Sequence, residues 1–120
     1  AIALSSDAST FSAIGNDYGY ERVFARQVEA FAAPGDVLIA ISTSGRSANV
    51  LAAAREARSR ACEVIALTGK NGGELAESAD LVLAAPSTVT ARIQEVHGVC
   101  IHVLAQAIEE ALCGGRLSKS

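Results

Sequence analysis

The segment from Val37 to Val50, VLIAISTSGRSANV, constrains the fold more than any other stretch of the chain. Five apolar residues, Val37 to Ile41, read as a buried parallel strand. They run straight into Ser42, Thr43, Ser44, Gly45, Arg46 and Ser47, and a helical pattern starts at once. Further strands alternate with helices downstream, which implies a parallel sheet with right-handed crossovers and helices on both faces. The expected fold class is therefore α/β, a three-layer sandwich of flavodoxin or Rossmann type.

The same segment outlines an anion site. Hydroxyls, a glycine that admits close backbone approach and the unpaired N–H groups of a helix N-terminus converge at the carboxyl end of a strand, where open α/β sheets bind ligands. A phosphate fits such a place. Ser and Thr are also ordinary N-cap residues that satisfy orphan donors with no ligand present. One hydroxyl suffices for a cap, whereas Ser42, Thr43, Ser44 and Ser47 bring four. GxGxxG is absent, and Gly69, Lys70, Asn71, Gly72, Gly73 lacks the spacing of a P-loop, so that segment reads as a turn.

A chain of 120 residues, half of them apolar, is expected to form one globular domain. The formal net charge of −3 and the lack of a basic run argue against nucleic-acid binding. Cys62, Cys100 and Cys113 are odd in number and lack CxxC spacing, so they read as free thiols in a reducing, cytoplasmic compartment. No apolar stretch is expected to reach bilayer-spanning length, so no membrane association is expected. Ala1 to Leu4 is too short for a signal peptide. The chain opens inside an apparent strand and contains no Met, so a further upstream portion is expected.

Along the chain, Ala1–Leu4 reads as a strand and Ser5, Ser6, Asp7 as a polar turn, a second ligand-facing loop. Ala8–Ile14 reads as a short helix ended by Gly15 and Asn16. Glu21–Ala32 is a longer one with Val23, Phe24, Val28 and Phe31 on one face. The helix from about Ala48 to Arg60 turns Val50, Leu51, Ala54 and Ala57 inward. Glu63–Thr68 and Leu81–Ala84 are strands around a short helix at Glu74–Ser78; Pro86 stops the second. Thr90–Leu112 is the longest helix, and the tail from Gly114 reads as frayed.

On that last helix, Gln94, Gly98, His102 and Gln106 recur every four residues and share one face. Gly98 leaves a notch, although Gln94 and His102 stand about 12 Å apart along the axis. The other stripe, Ile93, His97, Cys100, Ile101, Leu104 and Ile108, is apolar, and His97 within it reads as a structural histidine. For His102 and Glu95 the pattern leaves a solvated helix face and a functional role both open.

With these residues in view the chain resembles the sugar isomerase (SIS) superfamily, and within it the phosphoheptose isomerases. AIALSSDAS, GNDYGYERVFARQVEA, PGDVLIAISTSGRSANVL, VIALTGKNGG and TARIQEVHGVCIH occur in family style and order. The ISTSG loop with a second serine is shared by many phosphosugar-binding relatives. RIQEVH with a histidine five residues later is much more specific.

The resemblance implies that Ser42, Thr43, Ser44 and Ser47 hold a substrate phosphate and that Ser6 and Asp7 hold sugar hydroxyls. It implies that Gln94 and His102 belong to a zinc site, one metal per subunit, and that His102 also transfers protons. Arg46, where relatives often carry Asn, adds charge against the phosphate. The implied activity is the aldose–ketose isomerisation of D-sedoheptulose 7-phosphate to D-glycero-D-manno-heptose 7-phosphate, the entry to heptose synthesis for bacterial surface polysaccharide. Homotetramers with sites at subunit contacts are implied as well. Family members begin with helices and a first strand bearing a glycine-rich loop, then an HxxxE helix that completes the metal site and supplies the partner acid/base. None of these is in the chain, so residues 1–120 are expected to be an SIS domain lacking them, with the remaining zinc ligands upstream.

Two other readings belong to the same fold. A non-catalytic scaffold that binds the replication initiator protein departs from the pattern at the positions of Ser44 and His102, both present here. A phosphosugar-sensing module normally accompanies a helix-turn-helix, which this acidic sequence lacks.

Overall fold

The computed structural model describes residues 1–114. The frayed tail expected from Gly114 therefore lies, beyond that residue, outside the described residues.

Helix α1 (Ala8–Tyr18) and a 3₁₀ turn (Tyr20–Arg22) lead into α2 (Ala25–Phe31). Strand β1 (Val37–Ser42), α3 (Ala48–Ser59), β2 (Glu63–Thr68), α4 (Gly73–Glu77), β3 (Leu81–Ala84) and α5 (Thr90–Cys113) follow. The three strands form one parallel sheet in the order β1-β2-β3, with Ser42 opposite Thr68 and Thr68 opposite Ala84. All carboxyl ends thus meet along one edge, which is where the serine loop emerges.

Strand residues alternate between faces. Leu38, Ala40, Val64, Ala66 and Val82 point into the core with Leu51, Ala53, Ala54 and Ala57 of α3, Val28 of α2 and Leu75 of α4. Alanines on α3 let that helix lie close on the sheet, and burying side chains such as Leu51, Leu75 and Val64 stabilises the fold by about 1.5–3 kcal/mol each. On the opposite face Leu67 is buried, but Val37, Ile39, Ile41 and Leu81 are exposed. There α5 covers only the carboxyl-terminal end.

Helix α3 ends in a Schellman motif: Cys62 N–H donates to the Ala57 carbonyl at 3.0 Å and Ala61 N–H to that of Arg58 at 3.0 Å. The motif sets Ala61 at φ +58°, in the left-handed region.

Several expectations change. Ala1–Leu4 forms no strand; Ser6 N–H and Oγ both donate to the Ala3 carbonyl, closing a turn, and the Leu4 carbonyl accepts from Gln27 Nε2 at 2.8 Å. The Glu21–Ala32 helix is broken, because α1 runs through Gly15 to Tyr18 before Gly19, at φ +86°, ends it. The 3₁₀ turn then swings Val23 and Phe24 inward, with Tyr20 and Phe24 both edge-on to Phe11. Phe31 is 58% exposed instead of facing the core. Along α5 only Ile93 and His97 are buried, so the stripe through Ile101 and Ile108 continues onto open surface. By length and composition α5 is also apolar enough to cross a membrane, contrary to expectation; its Ala-, Val- and Ile-rich composition accounts for this, while Ile93 and His97 seat it on the sheet.

Candidate functional site

Strand β1 delivers Ser42 to the sheet edge, and the chain turns there through Gly45. Gly45 stands at φ +63°, and a Cβ on it would lie 1.9 Å from the Gly72 carbonyl oxygen, so only glycine fits. Its N–H donates to the Ser42 carbonyl at 3.1 Å and to Ser42 Oγ at 3.2 Å, and its carbonyl accepts from Leu75 N–H at 2.9 Å. Gly69 N–H donates to the Thr43 carbonyl at 3.1 Å. The serine loop is thus pressed backbone to backbone onto the turn after β2.

Ser47 occupies the N-cap position of α3, yet its side chain makes no capping hydrogen bond. Its Oγ instead lies 3.0 Å from Ser42 Oγ. Val50 N–H takes the Asn49 side-chain oxygen at 2.9 Å and Leu51 N–H the Ser47 carbonyl at 2.9 Å. Among the described residues the N–H groups of Ala48 and Asn49 are left as open donors. The contrast with α1 is direct, since Asp7 does cap its helix, accepting from Ser9 N–H at 3.0 Å and Thr10 N–H at 3.2 Å. Simple capping therefore does not explain Ser47, and the α3 N-terminus offers its partial positive charge to an anion.

A cleft of about 430 Å³ opens beside it between the serine loop and α5. Ser42, Thr43 and Ser47 line one wall; Gln94, His97, Gly98 and Ile101 line the other. Gly98 faces open space, in line with the expected notch. Behind this wall the Thr68 carbonyl accepts from Ala85 N–H at 2.9 Å and pairs with His97 Nε2 at 3.0 Å. A carbonyl only accepts, so Nε2 carries the proton and buried Nδ1 is left without a partner, as is Thr68 Oγ1. His97 is structural, as its stripe suggested, and it also forms part of the cleft wall.

The expected site residues do not all gather here. Ser44 faces a second, smaller cleft. His102 is exposed and lines neither cleft within its own chain. Ser6 Oγ donates to the Ala3 carbonyl at 2.7 Å, and Asp7 also accepts from Thr10 Oγ1 at 2.6 Å. The Thr10 hydroxyl, with the backbone N–H groups of Thr10 and Ser9, holds the Asp7 carboxyl below its usual range. Neither Ser6 nor Asp7 lines either of these clefts.

Gln94 and His102 offer one oxygen and one nitrogen donor on a single helix, about 12 Å apart in rise. Structural and catalytic zinc sites take three or four protein ligands. No group of three His, Cys, Asp or Glu side chains suited to a metal ion occurs among the described residues. One chain does not assemble the expected zinc centre from them.

The fold and loop have close counterparts. A family model described as SIS domain matches residues 1–69. The phosphoheptose isomerase of Thiobacillus denitrificans is 54% identical over 117 residues, which cover 95% of this chain and 59% of that protein. That of Nitratiruptor sp. is 55% identical over 111 residues, 92% of this chain and 59% of its own. The structure of phosphoheptose isomerase from Neisseria gonorrhoeae superposes with a TM-score of 0.88 at 48% identity, covering 91% of this chain and 61% of that one. The chain therefore spans about three fifths of the length of these relatives. With the model matching more than half of its residues and a parallel sheet that leads into the serine loop, the chain belongs to the SIS domain family.

Proposed function

We propose that this chain is the phosphate-binding part of a phosphosugar isomerase that interconverts D-sedoheptulose 7-phosphate and D-glycero-D-manno-heptose 7-phosphate. One observation carries the reading: the α3 N-terminus faces a cleft with open donors, because Ser47 bonds to Ser42 instead of capping its helix. The relatives' name, phosphoheptose isomerase, supplies the substrate class.

In this reading Ser42, Thr43 and Ser47, with the Ala48 and Asn49 N–H groups, grip the phosphate, while Ser44 faces the second cleft on the other side of the loop. Binding energy gained at that remote end orients the reacting carbons. The Gln94 amide, across the cleft, holds a sugar hydroxyl, as do Ser6 and Asp7 in the assembled protein. The reaction moves a proton between C1 and C2 through an enediol, and an imidazole is suited to take and return it near neutral pH. His102 has that role. Because it lies outside the cleft of its own chain, it acts on a site completed by another subunit, in a homotetramer. Exposed Val99, Val103 and Leu112 on α5 support association along that helix.

Gln94 and His102 would be two donors to a zinc whose other ligands come from outside the described residues. Three free cysteines fit a reducing, cytoplasmic setting.

The test is turnover and binding in the complete protein. His102→Ala should abolish isomerisation while sedoheptulose 7-phosphate still binds within a few-fold of wild type. Retained isomerase activity would refute the assignment of His102.

A further inference from the structure

The serine loop has two sides. Thr43 is the ridge between the cleft described above and a second one of about 200 Å³, walled by Ser44 and Arg46 on one side and by Lys70, Ser87 and Thr88 on the other. The two differ in chemistry. The first is lined by hydroxyls, an amide and an imidazole, whereas the second carries two cationic side chains and no carboxylate.

Arg46 and Lys70 form no ion pair among the described residues, although six other arginines do. The chain as a whole is acidic, at −3, so this concentration of positive charge is local. The hydroxyls are arranged to donate. Ser44 Oγ accepts from Arg46 N–H at 3.2 Å and Ser87 Oγ from Val89 N–H at 3.0 Å, which leaves each O–H proton free for an acceptor in the cleft. The loops are fixed relative to one another by Lys70 N–H to the Ser87 carbonyl at 3.0 Å and Gly69 N–H to that of Thr43 at 3.1 Å. Two cations and two free donors on a braced frame select a compact anion, and the volume suits one smaller than a typical drug-sized ligand.

The geometry points to a second anion site, distinct from the cleft under α5, in which Arg46, Lys70, Ser44 and Ser87 bind a small dianion of the phosphate class. It does not depend on the substrate reading of the first cleft. Occupation would tie the loops after all three strands to one ligand.

Isothermal titration of the complete protein with inorganic phosphate at low ionic strength tests this. Arg46→Gln/Lys70→Gln should lose one bound phosphate relative to wild type, or bind it about tenfold more weakly or worse. Ser42→Ala/Ser47→Ala should keep that phosphate. Both cations are exposed, and circular dichroism checks that the variants fold. A repeat with glycerol 3-phosphate separates the sources: weakening of both ligands assigns phosphate esters, and weakening of inorganic phosphate alone assigns the free ion. No phosphate bound by wild type, or an Arg46→Gln/Lys70→Gln variant with wild-type stoichiometry and affinity within twofold, overturns the site. Loss of binding confined to Ser42→Ala/Ser47→Ala overturns it as well and assigns the bound phosphate to the first cleft.

Discussion

Ser42 Oγ and Ser47 Oγ meet at 3.0 Å across the loop that joins β1 to α3, so the residue in the N-cap position faces the strand end and not its own helix. A cap replaced by alanine costs about 0.5–2 kcal/mol of stability. Ser47 does no capping, so Ser47→Ala should leave the melting temperature nearly unchanged. It should weaken phosphosugar binding by about 1–2 kcal/mol, roughly five- to thirtyfold, read as KM or Kd. Asp7→Ala is the control, because Asp7 caps α1 and its loss should lower the melting temperature.

Gly45→Ala should be severely destabilising, by more than about 3 kcal/mol, since the new methyl group would collide with the Gly72 carbonyl in a left-handed backbone. Chemical denaturation measures it. A variant of wild-type stability would mean that the two loops are not packed as described.

Ala61 pulls the other way. It holds φ +58° at the position after the α3 cap where glycine is the usual residue. Ala61→Gly should raise stability by about 0.5–1 kcal/mol in a denaturant titration, with no change in phosphate binding.

His97→Ala should cost about 2–4 kcal/mol, because it opens a cavity and removes the contact that ties α5 to the end of β2. Amide exchange should quicken along α5 more than along α3. His97→Gln, which can still donate to the Thr68 carbonyl, should recover part of the loss.

The strand β2, helix α3 and the start of α5 were legible in the sequence because apolar spacing there matches burial: Leu51, Ala54, Ala57, Val64 and Ile93 are all buried. The break between α1 and α2 was not, since helix propensity continues through Glu21–Ala32 and only the Gly19 conformation and the Phe11 ring contacts stop it. The serine loop was legible as an anion site. Its division into two clefts was not, because it depends on the turn after β2 docking against Gly45, a contact between residues distant in sequence. Lys70 read as turn surface for that reason. One signal was available: it follows the carboxyl end of a parallel strand, the edge where such sheets bind ligands.

Asp80 supplies a pH prediction. The Val64 N–H, at 2.8 Å, and then the Arg58 guanidinium, also at 2.8 Å, hold its carboxyl below the ordinary aspartate value of about 3.9. A depressed folded-state value adds stability above the unfolded-state value and loses it as the pH falls through the folded one. Asp80→Asn should therefore lower the melting temperature at pH 7, and the difference from wild type should shrink below about pH 4. A constant difference from pH 7 to pH 2 would contradict the assignment.

The central claim is that the bend between Ile41 and Ala48 holds the phosphate of a sugar, and a crystal structure of the complete protein with sedoheptulose 7-phosphate tests it most directly. The account predicts the phosphate at the α3 N-terminus, within hydrogen-bond distance of Ser47 Oγ and the Ala48 and Asn49 N–H groups, with the sugar running toward Gln94. A substrate phosphate bound elsewhere, with those donors facing water, would contradict it.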